Sequence, residues 1–139
     1  MLDGGRTVRG ESNISRVDGR IHRVEIEPAN PEPYSEALEA VERSQLILIG
    51  PGSLFTSIVP NLLIKGIADA VANSPGFKLY VCNVAEEPAQ TEGYSVQDHL
   101  NVVEHYGGDR AVDAVIANNN LPDGPTPAGL DFIRIPNQN

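Results

Sequence analysis

The sequence predicts an α/β fold built on a short parallel sheet, and three observations carry that prediction. A run of aliphatic residues, Leu46-Ile47-Leu48-Ile49, stops abruptly at Gly50-Pro51-Gly52. Such a run, bounded by turn formers, reads as a strand buried on both faces, and strands of that kind belong to parallel sheets covered by helices. From residue 35 onward, segments of helical and strand-like apolar spacing alternate as α-β-α-β-α-β, which right-handed crossovers turn into a parallel three-strand core. Finally, Ser53, Thr56 and Ser57 follow the glycine-proline turn directly and precede a helical pattern. That is the layout in which an open α/β sheet offers backbone N–H groups to an anion at its carboxyl edge.

In chain order, Met1 to Gly5 is expected to be loose. Thr7 to Gly10 and Ile21 to Ile26 alternate branched and polar residues, and Asp18-Gly19 between them is a hairpin-turn signal, so an antiparallel β-hairpin is expected ahead of the parallel sheet. Pro28, Pro31 and Pro33 then interrupt regular structure. Ser35 is placed to cap a helix with Leu38 and Val41 on one side and Glu36, Glu39 and Glu42 toward water. The helix ends near Ser44, where the central strand begins.

Beyond that strand, Pro60 falls early enough in the next helix for its missing N–H to cost little, and Gly66 is expected to break or bend that helix. A second part covers Ile67 to Asn73 and stops at Ser74-Pro75-Gly76. Lys78 to Val84 forms the next buried strand, and a polar loop over Ala85 to Gly93 leads to a helix from about Ser95 to Tyr106, with Val96, Leu100 and Val103 inward. Ala114 to Ala117 is the last strand. The reading is one α/β domain over residues 1–120 and an irregular Pro-, Gly- and Asn-rich tail over 121–139.

Composition narrows the function. The chain has 139 residues, enough for one domain, and 40% of them are apolar, enough for a packed core. A formal charge of −9 argues against an electrostatic grip on nucleic acid or on an anionic membrane surface. A phosphate-bearing ligand remains compatible, because a helix N-terminus with a few local bases binds one without a basic surface. The single cysteine, Cys82, lies in an apolar run and is expected to be a buried thiol. No apolar run approaches the roughly 20 residues that span a bilayer, and the polar, glycine-rich start is unlike a signal peptide. A cytoplasmic location is the expectation.

Three loops leave the carboxyl ends of the strands, over residues 50–57, 83–94 and 118–124, and a ligand site is expected there. Gly50 and Gly52 let backbone approach a ligand closely, Pro51 shapes the turn, and Ser53, Thr56 and Ser57 add hydroxyl donors. The alternative is a tight turn and an ordinary helix start, for the loop is neither a Walker A motif nor a dinucleotide fingerprint. Lys65 could neutralise a phosphate or simply be a solvated lysine. In the second loop, Asn83 is placed to read a sugar hydroxyl or a base edge, and Tyr94 either stacks on a ligand ring or packs at the start of the following helix. Glu86, Glu87 and Glu92 could hold Mg²⁺ beside a diphosphate, although a solvated acidic loop is the favoured reading of Glu86 and Glu87. Asp98, His99 and His105 lack the spacing of a zinc site or a Ser-His-Asp triad. No catalytic residue and no protein metal site is assigned.

The motifs GPGSLFTSIVPNLLIKGIADAV, YVCNVAEEPAQTEGYSVQDHL and VIANNN, with RGESNI at 9–14 and RIHRVEIEP at 20–28, together resemble the bacterial gluconeogenesis-factor (YvcK-like) family of the CofD-like superfamily, which includes 2-phospho-L-lactate transferase. The resemblance covers roughly residues 5–120. It implies a Rossmann-like fold, and it implies a nucleotide-diphosphate role for Gly50, Pro51, Gly52, Ser53, Thr56 and Ser57, with Asn83, Thr91, Glu92, Gly93 and Tyr94 as further matched positions. It also implies a regulatory protein that binds a nucleotide sugar such as UDP-N-acetylglucosamine and supports cell shape and wall synthesis on gluconeogenic carbon sources. The alternative it implies is a Mg²⁺-dependent transferase of the 2-phospho-L-lactate type, using a nucleoside-diphosphate-linked donor. The family's amino-terminal strand and GGGTG-type turn have no counterpart here, and its carboxyl-terminal tyrosine and arginine do not map onto Tyr106 or Arg134. The expectation is therefore the carboxyl half of a family member, whose exposed sheet edge could pair with another copy.

Overall fold

The computed structural model describes residues 1–14, 16, 19–120 and 131–136. Its centre is a three-stranded parallel sheet in the order β1-β2-β3, formed by β1 (Leu46–Ile49), β2 (Phe77–Val81) and β3 (Ala114–Ile116). The register pairs Leu46 with Phe77 and Ile49 with Tyr80 on one side of β2, and Leu79 with Ala114 and Val81 with Ile116 on the other. The expected α/β architecture is present. The strand after the proline-rich segment is not central, however: β1 lies at an edge, and β2 is the middle strand.

The helices are α1 (Glu11–Ile14), α2 (Ser35–Arg43), α3 (Leu54–Leu62), α4 (Lys65–Asn73) and α5 (Val96–Gly107). The glutamates of α2 face water and Leu38 and Val41 are half-buried, as its periodicity requires. Ser35 is not its cap. Tyr34 occupies the N-cap position, and the Ser35 hydroxyl turns to Glu36, donating at 2.7 Å. The first turn of α3, Leu54–Ile58, is wound as a π-helix, with Val59 N donating to Leu54 O, and Pro60 sits near the start of the regular turn Val59–Leu62. The axis then turns by 80° into α4. The break falls at Ile64, whose backbone is extended (φ −78°, ψ 98°), and not at Gly66. Gly66 lies inside α4, and a β-carbon there would come 2.6 Å from Pro33 Cγ. The glycine is thus a matter of close packing between α4 and the proline segment, not of a helix stop.

The core is one cluster. Leu54, Phe55, Ile58, Val59 and Leu62 of α3 pack with Val71 of α4, Val103 of α5, Ile49 and Tyr80 of the sheet, and Cys82 just past the end of β2. Lys78 is buried at the far end of β2, where its ammonium meets Asp113 at 3.2 Å and donates to Ser74 O, while its backbone and Asp113 exchange two hydrogen bonds of 2.8 Å. A buried lysine is admissible because it is paired and hydrogen-bonded.

Two expectations at the ends of the chain need correction. Residues 7–10 and 21–26 do not form a paired hairpin. Instead, Ile21 makes an antiparallel bridge with Leu2, and the amides of His22 and Arg23 donate to the Met1 carbonyl. The chain start, expected to be loose, takes the place of residues 7–10 because Leu2 and Ile21 bury together in the core. Asp18, half of the expected turn, lies outside the described residues. At the other end, residues 131–134 are not irregular in their contacts. Phe132 bridges Ala85, Glu86 N donates to Asp131 O, Ile133 N to Val84 O and Val96 N to Arg134 O, and Ile133 is only 2% exposed. A single branched residue, Ile133, supplies the apolar anchor that composition averaged over Pro and Asn hides.

Candidate functional site

At the carboxyl edge of the sheet, β1 runs directly into the turn Gly50-Pro51-Gly52. Gly50 has φ +83°, and a β-carbon there would lie 2.8 Å from the carbonyl oxygen of Val81. Both conditions require glycine. The Gly50–Pro51 peptide is cis. Ser53 then precedes α3, with the amides of Ser57 and Ile58 donating to its carbonyl at 2.9 and 3.0 Å. By the geometry of a helix start, the amides of residues 54–56 have no acceptor within α3. The side chains of Leu54 and Phe55 are buried and hold the turn down, whereas Pro51 and Ser57 are exposed and Gly52, Ser53 and Thr56 are partly so. The hydroxyls of Ser53, Thr56 and Ser57 have no hydrogen-bond partner among the described residues.

Asn83 lies just beyond β2 and is tied to this turn. Gly52 N donates to Asn83 Oδ1 at 3.1 Å, and Asn83 Nδ2 donates to Gly52 O at 3.0 Å and to Glu87 Oε1 at 3.1 Å. The side chain expected to read a ligand is therefore occupied in positioning the loop that would hold one. A chain of bonds continues from Glu87: its amide donates to Thr91 Oγ1 at 2.9 Å, and Thr91 N donates to Glu87 O at 3.0 Å. Thr91 is 1% exposed, so its place is inside the loop. Glu86 accepts from Gly93 N at 2.8 Å, and Glu92 accepts from Ala89 N at 3.3 Å. These carboxylates fold the 83–94 loop on itself, which fits neither a metal cluster nor a purely solvated acidic loop. Among the described residues there is no group of three or more His, Cys, Asp or Glu able to hold a metal ion. Glu87 nevertheless keeps one buried oxygen, Oε2, without a partner.

Tyr94 joins the loop to α5. It packs edge-on against Phe55 (6.2 Å between centroids) and against His99 (5.6 Å), with the Arg20 guanidinium 5.7 Å from its ring centre. Arg20, Gln90, Glu92, Gly93, Tyr94 and Asp98 line a cavity of about 320 Å³. Arg20 was not legible as a site residue, since nothing in the residues around it in the sequence marks proximity to position 94. His99 is fully buried. Its Nδ1 lies 2.9 Å from Ser95 O, and a carbonyl only accepts, so Nδ1 carries a proton there, while the buried Nε2 has no hydrogen-bond partner among the described residues. Asp98 is accounted for by helix capping. Its carboxylate accepts from the Ser95 hydroxyl at 2.6 Å and from Ser95 N at 2.8 Å, and these two bonds, the hydroxyl's first, hold it below the usual range, while its own amide donates to Ser95 Oγ at 3.2 Å. Lys65 pairs with Asp69 one turn along α4, away from any phosphate role. Burial pushes the thiol of Cys82 up, and that of the Tyr80 phenol beside it likewise, so neither is activated.

The sites therefore fall into two groups. The 50–57 loop, Asn83 and Glu87 are joined by hydrogen bonds, and Glu92, Gly93 and Tyr94 line the cavity beside Arg20. Thr91 links the two from within. This is an α/β protein with a glycine-proline turn and a cluster of unpartnered hydroxyls at the carboxyl edge of a parallel sheet.

Residues 1–127 match the family described as 2-phospho-L-lactate transferase CofD, and the chain belongs to that family. It is 40% identical to a putative gluconeogenesis factor of Thermotoga maritima, over 99% of this chain and 45% of that protein. It is 38% identical to the gluconeogenesis factor of Bacillus subtilis, over 88% of this chain and 39% of the relative. A crystal structure of a Bacillus halodurans protein superimposes with a TM-score of 0.90 at 34% identity, covering 96% of this chain and 44% of that one. The chain thus spans less than half the length of these relatives. Among the described residues, no single helix is long and apolar enough to cross a membrane.

Proposed function

We propose that the 50–57 loop binds the diphosphate of a nucleotide sugar of the UDP-N-acetylglucosamine type, and that the protein acts as a cytoplasmic regulatory gluconeogenesis factor supporting cell shape and wall synthesis. The observation that carries this reading is the pair of hydrogen bonds locking Asn83 to Gly52, which fixes a turn whose neighbouring hydroxyls and helix-start amides are unoccupied. A fixed array of donors with no internal partner suits an anion, because binding then requires little reorganisation. Membership of the family and likeness to proteins called gluconeogenesis factors support the same reading.

Calorimetric titration of the chain with UDP-N-acetylglucosamine tests it. Saturable heat is expected, weakened about tenfold by Ser53→Ala or Thr56→Ala, since a hydrogen bond to a charged group contributes about 1.5 kcal/mol or more. Heat indistinguishable from dilution would overturn it.

A second reading, a transferase using a nucleoside-diphosphate-linked acid, is favoured by the unpartnered Oε2 of Glu87 beside Asn83. Mg²⁺ bound to a diphosphate often takes only one or two protein carboxylates, and Glu87 is the residue that would meet it. The ion would neutralise developing charge on the leaving phosphate. Mg²⁺-dependent release of nucleoside monophosphate, lost in Ser53→Ala, is the result expected of that enzyme and not of a regulator.

A further inference from the structure

The cavity beside Tyr94 holds a buried acceptor with nothing to accept from. Gln90 lines it and is only 6% exposed, yet its side-chain oxygen Oε1 has no hydrogen-bond partner among the described residues. A buried polar atom in that state is costly, and a donor brought in from outside removes the cost. An amide oxygen only accepts, so the missing group is an N–H or an O–H.

The charges around the cavity narrow the choice. Arg20 supplies one cation, whereas Glu92 and Asp98 supply two carboxylates. The lining is net negative, which disfavours a phosphate and sets this cavity apart from the 50–57 loop. The Arg20 guanidinium rests 5.7 Å from the Tyr94 ring centre and lies close enough to Asp98 to favour its charged form. With five N–H groups on a planar fork, it keeps such contacts and still presents a pair of donors to a carboxylate. Glu92 uses Oε1 to hold Ala89 N, and Asp98 uses Oδ2 to hold Ser95. A carboxylate has about four lone-pair sites, so both retain acceptor capacity. The wall is built before a ligand arrives: Gly93 N is fixed on Glu86 Oε1, and Thr91 is closed inside the loop.

We infer that this cavity binds a small zwitterionic amine of the α-amino-acid class, with its carboxylate on Arg20 and its ammonium among Gln90 Oε1, Glu92 and Asp98. An ammonium fills the empty acceptor and offsets the excess negative charge in one step. Ligand cavities run from about 300 to 1,000 Å³, and this one, at about 320 Å³, is of metabolite size. The site does not depend on a ligand at residues 50–57.

Titration of the isotope-labelled chain with each of the common L-amino acids, read from its amide resonances, tests the assignment. At least one amino acid should shift Gly93 and the Gln90 side-chain amide saturably. Its decarboxylated amine and its N-acetyl derivative should each bind at least tenfold more weakly. The amino acid itself should lose at least tenfold in affinity for Arg20→Met and for Glu92→Gln. Both side chains are exposed, and glutamine at 92 keeps an oxygen for Ala89 N, so both variants should fold. Were Arg20→Met to misfold, Glu92→Gln and the two analogues would still decide. No saturable response to any amino acid would sink the proposal. Equal affinity for either analogue would sink it as well, and so would saturable binding of glucose at Gly93 without any amino acid binding, since the ligand would then be a neutral polyol. A parallel titration with UDP-N-acetylglucosamine reads the other site through the amides of Ser53 and Thr56, so failure at one is distinguished from failure at the other.

Discussion

Asn83 and Gly52 exchange two hydrogen bonds across the carboxyl edge of the sheet, N–H to Oδ1 at 3.1 Å and Nδ2–H to the carbonyl at 3.0 Å. An amide side chain is the group that donates and accepts at once in this geometry, so the end of β2 clamps the turn that follows β1.

Asn83→Ala should therefore destabilise the protein and loosen the turn together. It leaves Gly52 N, Gly52 O and Glu87 Oε1 without their partner in a part-buried site, a loss of about 1–3 kcal/mol. Chemical denaturation gives the stability, and amide exchange at Gly52 gives the loosening. Asn83→Asp should be no milder, since a carboxylate faces the Gly52 carbonyl and Glu87 with no N–H to offer. Unchanged exchange at Gly52 in either variant would show that the clamp is not what fixes the loop.

Gly50→Ala addresses the same turn from its other end. The positive φ costs a side-chain-bearing residue about 1–3 kcal/mol, and the new methyl would press on the Val81 carbonyl, which is backbone and yields only by shifting β2. Gly93, also at positive φ (+74°), has open space around it, and Gly93→Ala should cost only the conformational part. A larger drop in melting temperature for Gly50→Ala than for Gly93→Ala is the expected order. The reverse order would remove the close approach to Val81 from the account.

What the sequence made legible follows from the range over which each signal acts. β1, β2, β3 and the helices between them are specified by local periodicity and turn residues, and they stand within a few residues of their expected places. Position within the sheet is not local. Nothing in Leu46-Ile47-Leu48-Ile49 distinguishes a central strand from an edge strand exposed on one side, for four aliphatic residues in a row carry no record of their neighbours. The 50–57 loop was legible because glycine and proline punctuate it. The Asn83–Gly52 clamp, Arg20 over Tyr94 and Ile133 in the core were not, since each depends on contacts between residues far apart in the chain.

Cys82 is buried between β2 and β3, with its amide bonded to Ile116 O, and burial raises its thiol above the ordinary range. Because the thiolate is the reactive form, alkylation by iodoacetamide at pH 8 should be slower in the native protein than in denaturant by about 10³-fold or more, the scale set by rare global opening. Mass spectrometry over a time course reads the ratio. Rapid labelling of the native chain would mean that the β2–β3 region opens on its own.

The capping box at the start of α5 gives the acid limb of the stability curve a traceable component. Hydrogen bonds from Ser95, first from its hydroxyl and then from its amide, lower the Asp98 carboxyl, with smaller help from His99 and Arg20. A group whose folded pKa is depressed contributes stability that is fully present above its unfolded value, near 3.9, and is lost as pH falls through the folded pKa. Wild-type stability should thus decline below about pH 4, with Glu36 and Asp113, also lowered, declining in the same window. Asp98→Asn keeps an oxygen for Ser95 N but cannot titrate, so the gap between wild type and variant should be widest near neutrality and close toward pH 3. Ser95→Ala removes the acceptor for Asp98 N and should cost about 1 kcal/mol at pH 7. Urea midpoints measured from pH 7 to pH 3 decide the matter: a gap that does not narrow with acid would place the role of Asp98 in packing and not in its charge.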